Sequence, residues 1–84
     1  MKYKIEIAPL ANYYVIGAKD KETGELVETF TLNESGTDML KLFCQGKDIN
    51  SVAEEMSEMY EIPFEQVIDD VTSFAEKLNR KDLL

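Results

Sequence analysis

The stretch FEQVIDDVTSFAEKL, residues 64–78, carries the strongest structural signal in this sequence. Its apolar residues recur at intervals of three, one and three positions, which places them along one face of an α-helix. Pro63, just before the stretch, suits the first turn of a helix. Three cations follow near the end, where positive charge stabilises the helix dipole. The pattern predicts an amphipathic helix over residues 64–80.

Two shorter helical patterns precede this helix. Apolar residues recur with helical spacing from Ile49 to Tyr60, and Asp48 before them is a favourable N-cap. The apolar stripe farther upstream follows Asn33, another favourable N-cap, and stops at Gly46, a typical C-terminal stop. We therefore expect helices at about 34–45 and 49–60.

The N-terminal part of the chain is typical of β-strands. Alternating or β-branched runs occupy about 3–7, 13–18 and 26–32. Polar residues ending in Gly24 separate the last two runs and indicate a hairpin, and Pro9 and Asn12 interrupt the chain between the first two. The sequence predicts three short antiparallel strands.

A small sheet followed by three amphipathic helices must bury both on one shared core. We therefore predict an α+β fold, with a small three-stranded antiparallel sheet followed by a three-helix bundle in a winged-helix-like arrangement. The chain has 84 residues, too few for two ordinary domains, so residues 1–84 are expected to form a single domain.

The charge balance restricts the classes of partner. Nine basic residues stand against 17 acidic ones, for a net charge of −8, and residues 48–76 contain nine carboxylates without a single Lys or Arg. Nucleic acids and anionic membranes need local cations, so neither is expected as a partner. The sequence also lacks a long apolar run and the apolar core of a signal peptide, which predicts a cytoplasmic location.

The residues that most enzymes depend on are missing. The sequence has no histidine, and Cys44, its single cysteine, has no partner for a disulfide or a zinc site. The four glycines are scattered and form no phosphate-binding loop. Carboxylates four residues apart, such as Glu54 and Glu58, are expected on a solvated helix face. We predict no catalytic residues, no metal site and no cofactor.

Four segments in order resemble the PqqD family. They are Leu32-Asn33-Glu34-Ser35-Gly36, then residues 48–54, then Tyr60-Glu61-Ile62-Pro63, and finally Asp70-Val71 followed by Phe74, Leu78 and the closing Leu83-Leu84. The resemblance covers about residues 30–84 in register. Two departures stand out: Asp82 replaces the usual glycine before the last leucines, and Asn50-Ser51 replaces an acidic pair.

The resemblance implies a RiPP recognition element, which binds the leader of a precursor peptide for a peptide-modifying enzyme, with the radical SAM class as a candidate. In such domains the leader adds a strand to the edge of the third strand and lies against the third helix. Carried onto this sequence, the edge is Glu28, Thr29, Phe30 and Thr31. The helix residues that would wall the groove are Phe64, Val67, Ile68 and Val71, with Asp69 or Asp70 at its rim. Because the helical half is acidic, we expect basic residues flanking the apolar anchors of the leader.

Three alternatives remain open at this stage. A protein–protein interaction or regulatory domain would use the same edge and groove as a leader-binding domain. A winged-helix DNA binder is disfavoured because no basic residue lies between Lys47 and Lys77. An exposed edge strand also allows self-pairing, so the sequence is compatible with a monomer or a homodimer.

Overall fold

Three antiparallel strands precede three helices in the computed structural model, which describes residues 3–83. This order confirms the predicted α+β fold. The six elements are β1 (Tyr3–Leu10), β2 (Tyr13–Asp20), β3 (Leu26–Leu32), α1 (Glu34–Cys44), α2 (Ile49–Tyr60) and α3 (Phe64–Arg80). In the described part of the chain, no helix combines the length and the apolar character needed to cross a membrane.

The sheet has the order β1-β2-β3, so β2 is central and the other two are edge strands. β1 runs farther than predicted, and Pro9 lies inside it, opposite Tyr14. The gap expected between the first two strands is therefore reduced to the two-residue turn Ala11–Asn12. The expectation was wrong because proline is tolerated on an edge strand, where one side of the backbone needs no hydrogen-bond partner.

The core lies between one face of the sheet and the helices. Ile16 and Ala18 on β2 are completely buried against it. From α3 a stripe of four residues enters the core, each at most 5% exposed: Val67, Val71, Ala75 and Leu78. Since these positions recur every three or four residues, the amphipathic pattern that predicted α3 also determines which of its faces is buried.

Side-chain caps fix where the first two helices begin, as predicted. The Asn33 Oδ1 accepts a hydrogen bond from the Gly36 backbone N–H at 2.8 Å, and the Asp48 Oδ1 accepts one from the Ser51 N–H at 2.8 Å. Each bond satisfies a backbone donor that has no partner inside its helix. The Ser51 N–H holds the pKa of the Asp48 carboxyl below its ordinary value.

All three helices end in the same left-handed turn. Gly46, Glu61 and Asp82 have φ values of 85°, 54° and 59°. In each case the next residue donates its N–H to the carbonyl oxygen five positions back. The N···O distances are 3.4 Å after Gly46, 3.2 Å after Glu61 and 2.9 Å after Asp82. This arrangement satisfies free carbonyls at the helix end, and glycine is the residue that adopts it without strain. Only the first of the three turns uses glycine.

The turn at Asp82 explains why the resemblance leads one to expect glycine there. It directs the chain back over the end of α3, so that Leu83 is completely buried. Asp82 therefore adopts a left-handed backbone conformation, which is costly for a residue other than glycine. Burial of Leu83 in the core compensates for this cost. Leu84, the last residue of the predicted family pattern, lies outside the described residues.

We predict that Glu61→Gly raises the free energy of unfolding by about 0.5–1 kcal/mol, measured by urea denaturation. Glycine removes the cost of the left-handed backbone, about 1–2 kcal/mol, while the greater freedom of the unfolded chain offsets part of the gain. Glu61→Ala is the control, since it removes the same charge from the helix end but keeps the strained backbone. Equal effects of the two substitutions would contradict the role assigned to strain.

Acid should destabilise the protein partly through Asp48. Its folded pKa lies below the ordinary 3.8, so it contributes stability above that value and loses the contribution as pH falls through the folded pKa. Asp48→Asn keeps a good N-cap that does not titrate. We expect the variant to match the parent near neutral pH in urea denaturation and to lose less stability below about pH 4. Identical acid profiles would remove Asp48 from the explanation.

Candidate functional site

A groove of about 450 Å³ lies between β3 and α3. We call it the β3–α3 groove. Its lining comes from the end of β3, the start of α1 and the middle of α3: Thr31, Leu32, Asn33, Ser35, Gly36, Met39, Asp70, Ser73, Phe74 and Lys77.

The groove is open because α3 packs elsewhere. Its main tertiary contacts are with α2, and it makes few contacts with β3. Once its apolar stripe is buried, the neighbouring face, with Asp70, Ser73 and Lys77, is left beside β3 and exposed. The floor is apolar, because Leu32, Met39 and Phe74 are half-buried there.

Phe74 is held in place from behind. Its ring stacks on Phe43 of α1, with the ring centroids 6.3 Å apart and the planes inclined by 28°. Offset aromatic contacts of this kind are favourable. The aromatic part of the floor is therefore anchored to α1 and not left to adjust freely.

The backbone edge of β3 borders this groove. β3 pairs with β2 on one side, and no other strand within residues 3–83 pairs with it. Such an edge presents unpaired N–H and C=O groups. The two edges of the sheet differ: β1 carries Lys4 and Pro9, residues that discourage strand addition, whereas β3 contains no Lys, Arg or Pro. The open edge is thus the one next to the groove.

One ion pair connects β3 with the end of α3. The Lys81 Nζ lies 3.1 Å from the Glu28 Oε1 and 5.0 Å from the centroid of the Phe30 ring. Lys81 therefore joins the start of β3 to the last turn of the helix, beyond the Lys77 end of the β3–α3 groove. The contact limits how far the two elements can separate there.

The two charged residues that line the groove have no opposite charge beside them. Asp70 and Lys77 are exposed, and neither forms an ion pair with any residue from Tyr3 to Leu83. Their charges are available to a molecule that enters the groove.

A smaller cavity of about 280 Å³ continues from one end of the groove. It shares Ser35, Met39 and Asp70 with the groove, and its remaining lining is mostly apolar: Met56, Tyr60, Ile62 and Val67. The Tyr60 hydroxyl donates a hydrogen bond to the Asp38 Oδ2 at 2.5 Å, and the carboxylate raises the pKa of Tyr60 to about 12. The tyrosine is therefore neutral at physiological pH and fixed in direction.

Three larger depressions lie away from the groove: one of about 560 Å³ on β1 and β2, beside Ala8 and Val15, and two of about 630 Å³ each. One of the latter two surrounds the β2–β3 turn and is lined mainly by charged residues, two of which pair with each other, Lys19 and Glu6 at 2.9 Å. The other lies across α3 from the groove, beside Phe43, Ile49 and Ala75. Among the described residues, no three His, Cys, Asp or Glu side chains cluster as metal ligands would.

The eight residues predicted to bind a peptide do not lie in one site. On β3, Thr31 lines the β3–α3 groove, Glu28 and Phe30 contact Lys81, and Thr29 is exposed opposite Gly17. Their role in binding stays a prediction.

The four predicted helix residues do not line this groove. Val67 and Val71 belong to the core, and Val67 also borders the smaller cavity. Ile68 lies in the depression across the helix, and Phe64 is 36% exposed at the first turn. The prediction and the structure differ because the prediction takes apolar residues as the groove walls. On α3, apolar residues such as Val67 and Val71 form the buried stripe instead.

The prediction includes Asp70, named together with Asp69 at the rim of the groove. It misses Ser73, Phe74 and Lys77, the other residues of α3 that line the groove. A signal was present, since positions 70, 74, 77 and 81 recur at helical spacing and lie beside the apolar stripe. What the spacing does not reveal is which polar face is turned toward the sheet.

Comparisons with known proteins agree with the fold. The model of the family described as coenzyme PQQ synthesis protein D (PqqD) matches residues 20–84. The solved structure of TbiB1 in complex with the TbiA(beta) leader peptide has a TM-score of 0.71 at 23% identity, over 100% of this chain and 94% of that one. No curated protein sequence matches the chain.

We predict that Lys81 and Glu28 are coupled by about 0.5 kcal/mol in a double-mutant cycle of alanine substitutions, measured by urea denaturation. The side chains of this pair are 37% and 32% exposed, so solvent screens most of the attraction. Lys81→Ala alone should cost slightly more than Glu28→Ala, because it also removes the contact with the Phe30 ring. A coupling that is zero at low salt would show that the pair does not hold β3 to α3.

Proposed function

The chain belongs to the PqqD family, and on this premise we propose that it is a non-catalytic module that binds a peptide in the β3–α3 groove. The observation that carries the proposal is the combination of an unpaired, unprotected strand edge with an open groove beside it. In this reading the bound peptide adds a fourth strand to the sheet next to β3.

Strand addition divides affinity and specificity between two parts of the site. Main-chain hydrogen bonds along the edge supply affinity for many extended peptides. Side chains that point into pockets then decide which sequences bind, and alternate residues of a strand point to the same side. Here those pockets are the apolar floor of Leu32, Met39 and Phe74 and the smaller cavity next to it.

The peptide is, in our proposal, the leader segment of a precursor that a separate enzyme modifies. Two findings support this: the family is described by its part in coenzyme PQQ synthesis, and TbiB1 was solved with a leader peptide. The module would hold the leader while the enzyme acts on the rest of the precursor, in the cytoplasm. The enzyme belongs to the proposal as well, and a radical SAM protein is the candidate for it.

The surface of α3 disfavours the DNA-binding alternative. A recognition helix needs cations and amides directed at phosphates and base edges. The exposed side of α3 instead carries Glu65, Asp69, Asp70 and Glu76, and its cations are confined to the last turns. Negative charge on this helix would repel a phosphate backbone.

The direct test is an NMR titration of labelled protein with synthetic peptides from short precursor genes beside the gene for this chain. We expect amide shifts on residues 27–32 and 70–77, since the first range forms the edge and the second the helix wall. Shifts confined to the β2–β3 turn or to the depression across α3, or no binding by any such peptide at millimolar concentration, would contradict the proposal.

Filling the groove should block binding. Ser73→Phe places a large ring among the groove side chains. For any peptide that shifts the NMR amide signals of residues 27–32, we expect this variant to lose at least tenfold in affinity. Glu76→Phe is the matched control, because Glu76 is exposed on the same helix but does not line the groove. Its affinity should stay within about twofold of the parent. Equal losses in the two variants would place the binding site elsewhere.

A further inference from the structure

The β3–α3 groove has opposite charges at its two ends. Asp70 and Lys77 both line it, and they are seven residues apart on one helix. At a rise of 1.5 Å per residue, their backbones stand about 10.5 Å apart along the axis. That separation keeps the two side chains from neutralising each other, and each lacks an ion-pair partner among residues 3–83.

The neighbouring charges preserve this polarity. Lys81, one turn beyond Lys77, is already paired with Glu28, and Lys77 is the cation among the described residues that line the groove. At the other end, Asp70 borders the smaller cavity, near the acidic residues Asp69 and Glu65 of the same helix. Between the ends lie Ser73 and the apolar floor with Phe74.

These spacings correspond to alternate residues of an extended peptide. Successive residues of a strand rise about 3.3 Å and point to opposite sides, so positions i, i+2 and i+4 face the same way. They span about 13 Å, close to the separation of Asp70 and Lys77 once the flexible lysine side chain is included. The middle position then falls over the apolar floor.

The direction of the peptide follows from the sheet. β3 runs from Glu28, beside Lys81, toward Leu32, in the groove with Asp70, so its direction is opposite to that of α3. Antiparallel pairing is the more stable arrangement, and both existing strand pairs in this sheet are antiparallel. A peptide antiparallel to β3 passes Asp70 first and Lys77 second.

We propose that the groove reads the order of charges along its peptide. It selects a segment in which Lys or Arg, an apolar residue and Asp or Glu occupy positions i, i+2 and i+4, in that order. This rests on the proposed peptide-binding function and adds the sequence class that is bound. It also revises the expectation of a leader that is basic on both sides of its apolar anchors, since Lys77 requires a carboxylate at one end.

The test uses a displayed library of random twelve-residue linear peptides, selected on the intact protein and on the charge-exchanged variant D70K/K77E. A second variant, K41E/E58K, makes the same kind of exchange at two exposed positions of α1 and α2 that do not line the groove. Both exchanges keep the net charge unchanged. Thermal unfolding followed by circular dichroism verifies that each variant is folded before selection.

We expect peptides enriched on the parent protein and on K41E/E58K to carry the cation four positions before the carboxylate. The D70K/K77E variant should enrich the reverse order. A synthetic peptide of the parent consensus should lose about tenfold in affinity when its two charges are exchanged, because two attractions become two repulsions at a partly screened site. The D70K/K77E variant should restore that affinity.

The failures are distinguishable. The inference would be overturned if the enriched peptides shift the amide signals of residues 27–32 but show no charge order. It would also be overturned if D70K/K77E enriches the same order as the parent. Either result would leave peptide binding intact. A library that yields no peptide able to shift residues 27–32 would overturn both the inference and the proposed function.

Discussion

The rotation of α3 about its own axis is the constraint on which the rest of the structure depends. Burial of Val67, Val71, Ala75 and Leu78 sets that rotation, and each is almost completely removed from solvent. Full burial of a Val or Leu side chain contributes roughly 1.5–3 kcal/mol, which is far more than any surface contact in this protein supplies. The burial of this stripe therefore also fixes which residues of the adjacent helix face lie beside β3.

The same constraint explains why the fold could be predicted and the groove only in part. Helical and strand periodicities mark which residues are buried, and burial carries most of the folding energy, so the order and bounds of the helices could be inferred. The polar residues Asp70, Ser73 and Lys77 contribute little to that energy. Their place beside β3 depends on how the buried faces pack, which is a property of the assembled fold.

Backbone strain left one trace in the sequence, the glycine that the family pattern has where this chain has Asp82. Gly46 indicates a left-handed helix end, whereas Glu61 and Asp82 are ordinary surface residues in any reading by propensity. Their conformation is imposed because Ile62 and Leu83 must turn back across the helix ends. Pro9 gives the opposite case, a residue that usually breaks strands and is accommodated because β1 lies at an edge.

The open edge of β3 also has a consequence for the behaviour of the protein at high concentration. A strand that remains unpaired for a peptide can equally pair with the same strand of another copy, which forms a closed dimer and covers the edge of both copies. The net charge of −8 opposes that process, because like-charged molecules repel each other before their edges can meet. The acidic composition thus provides colloidal stability to a sheet that has to stay incomplete. Salt, which screens this repulsion, would therefore favour dimers of the free protein more than of the same protein with its edge covered.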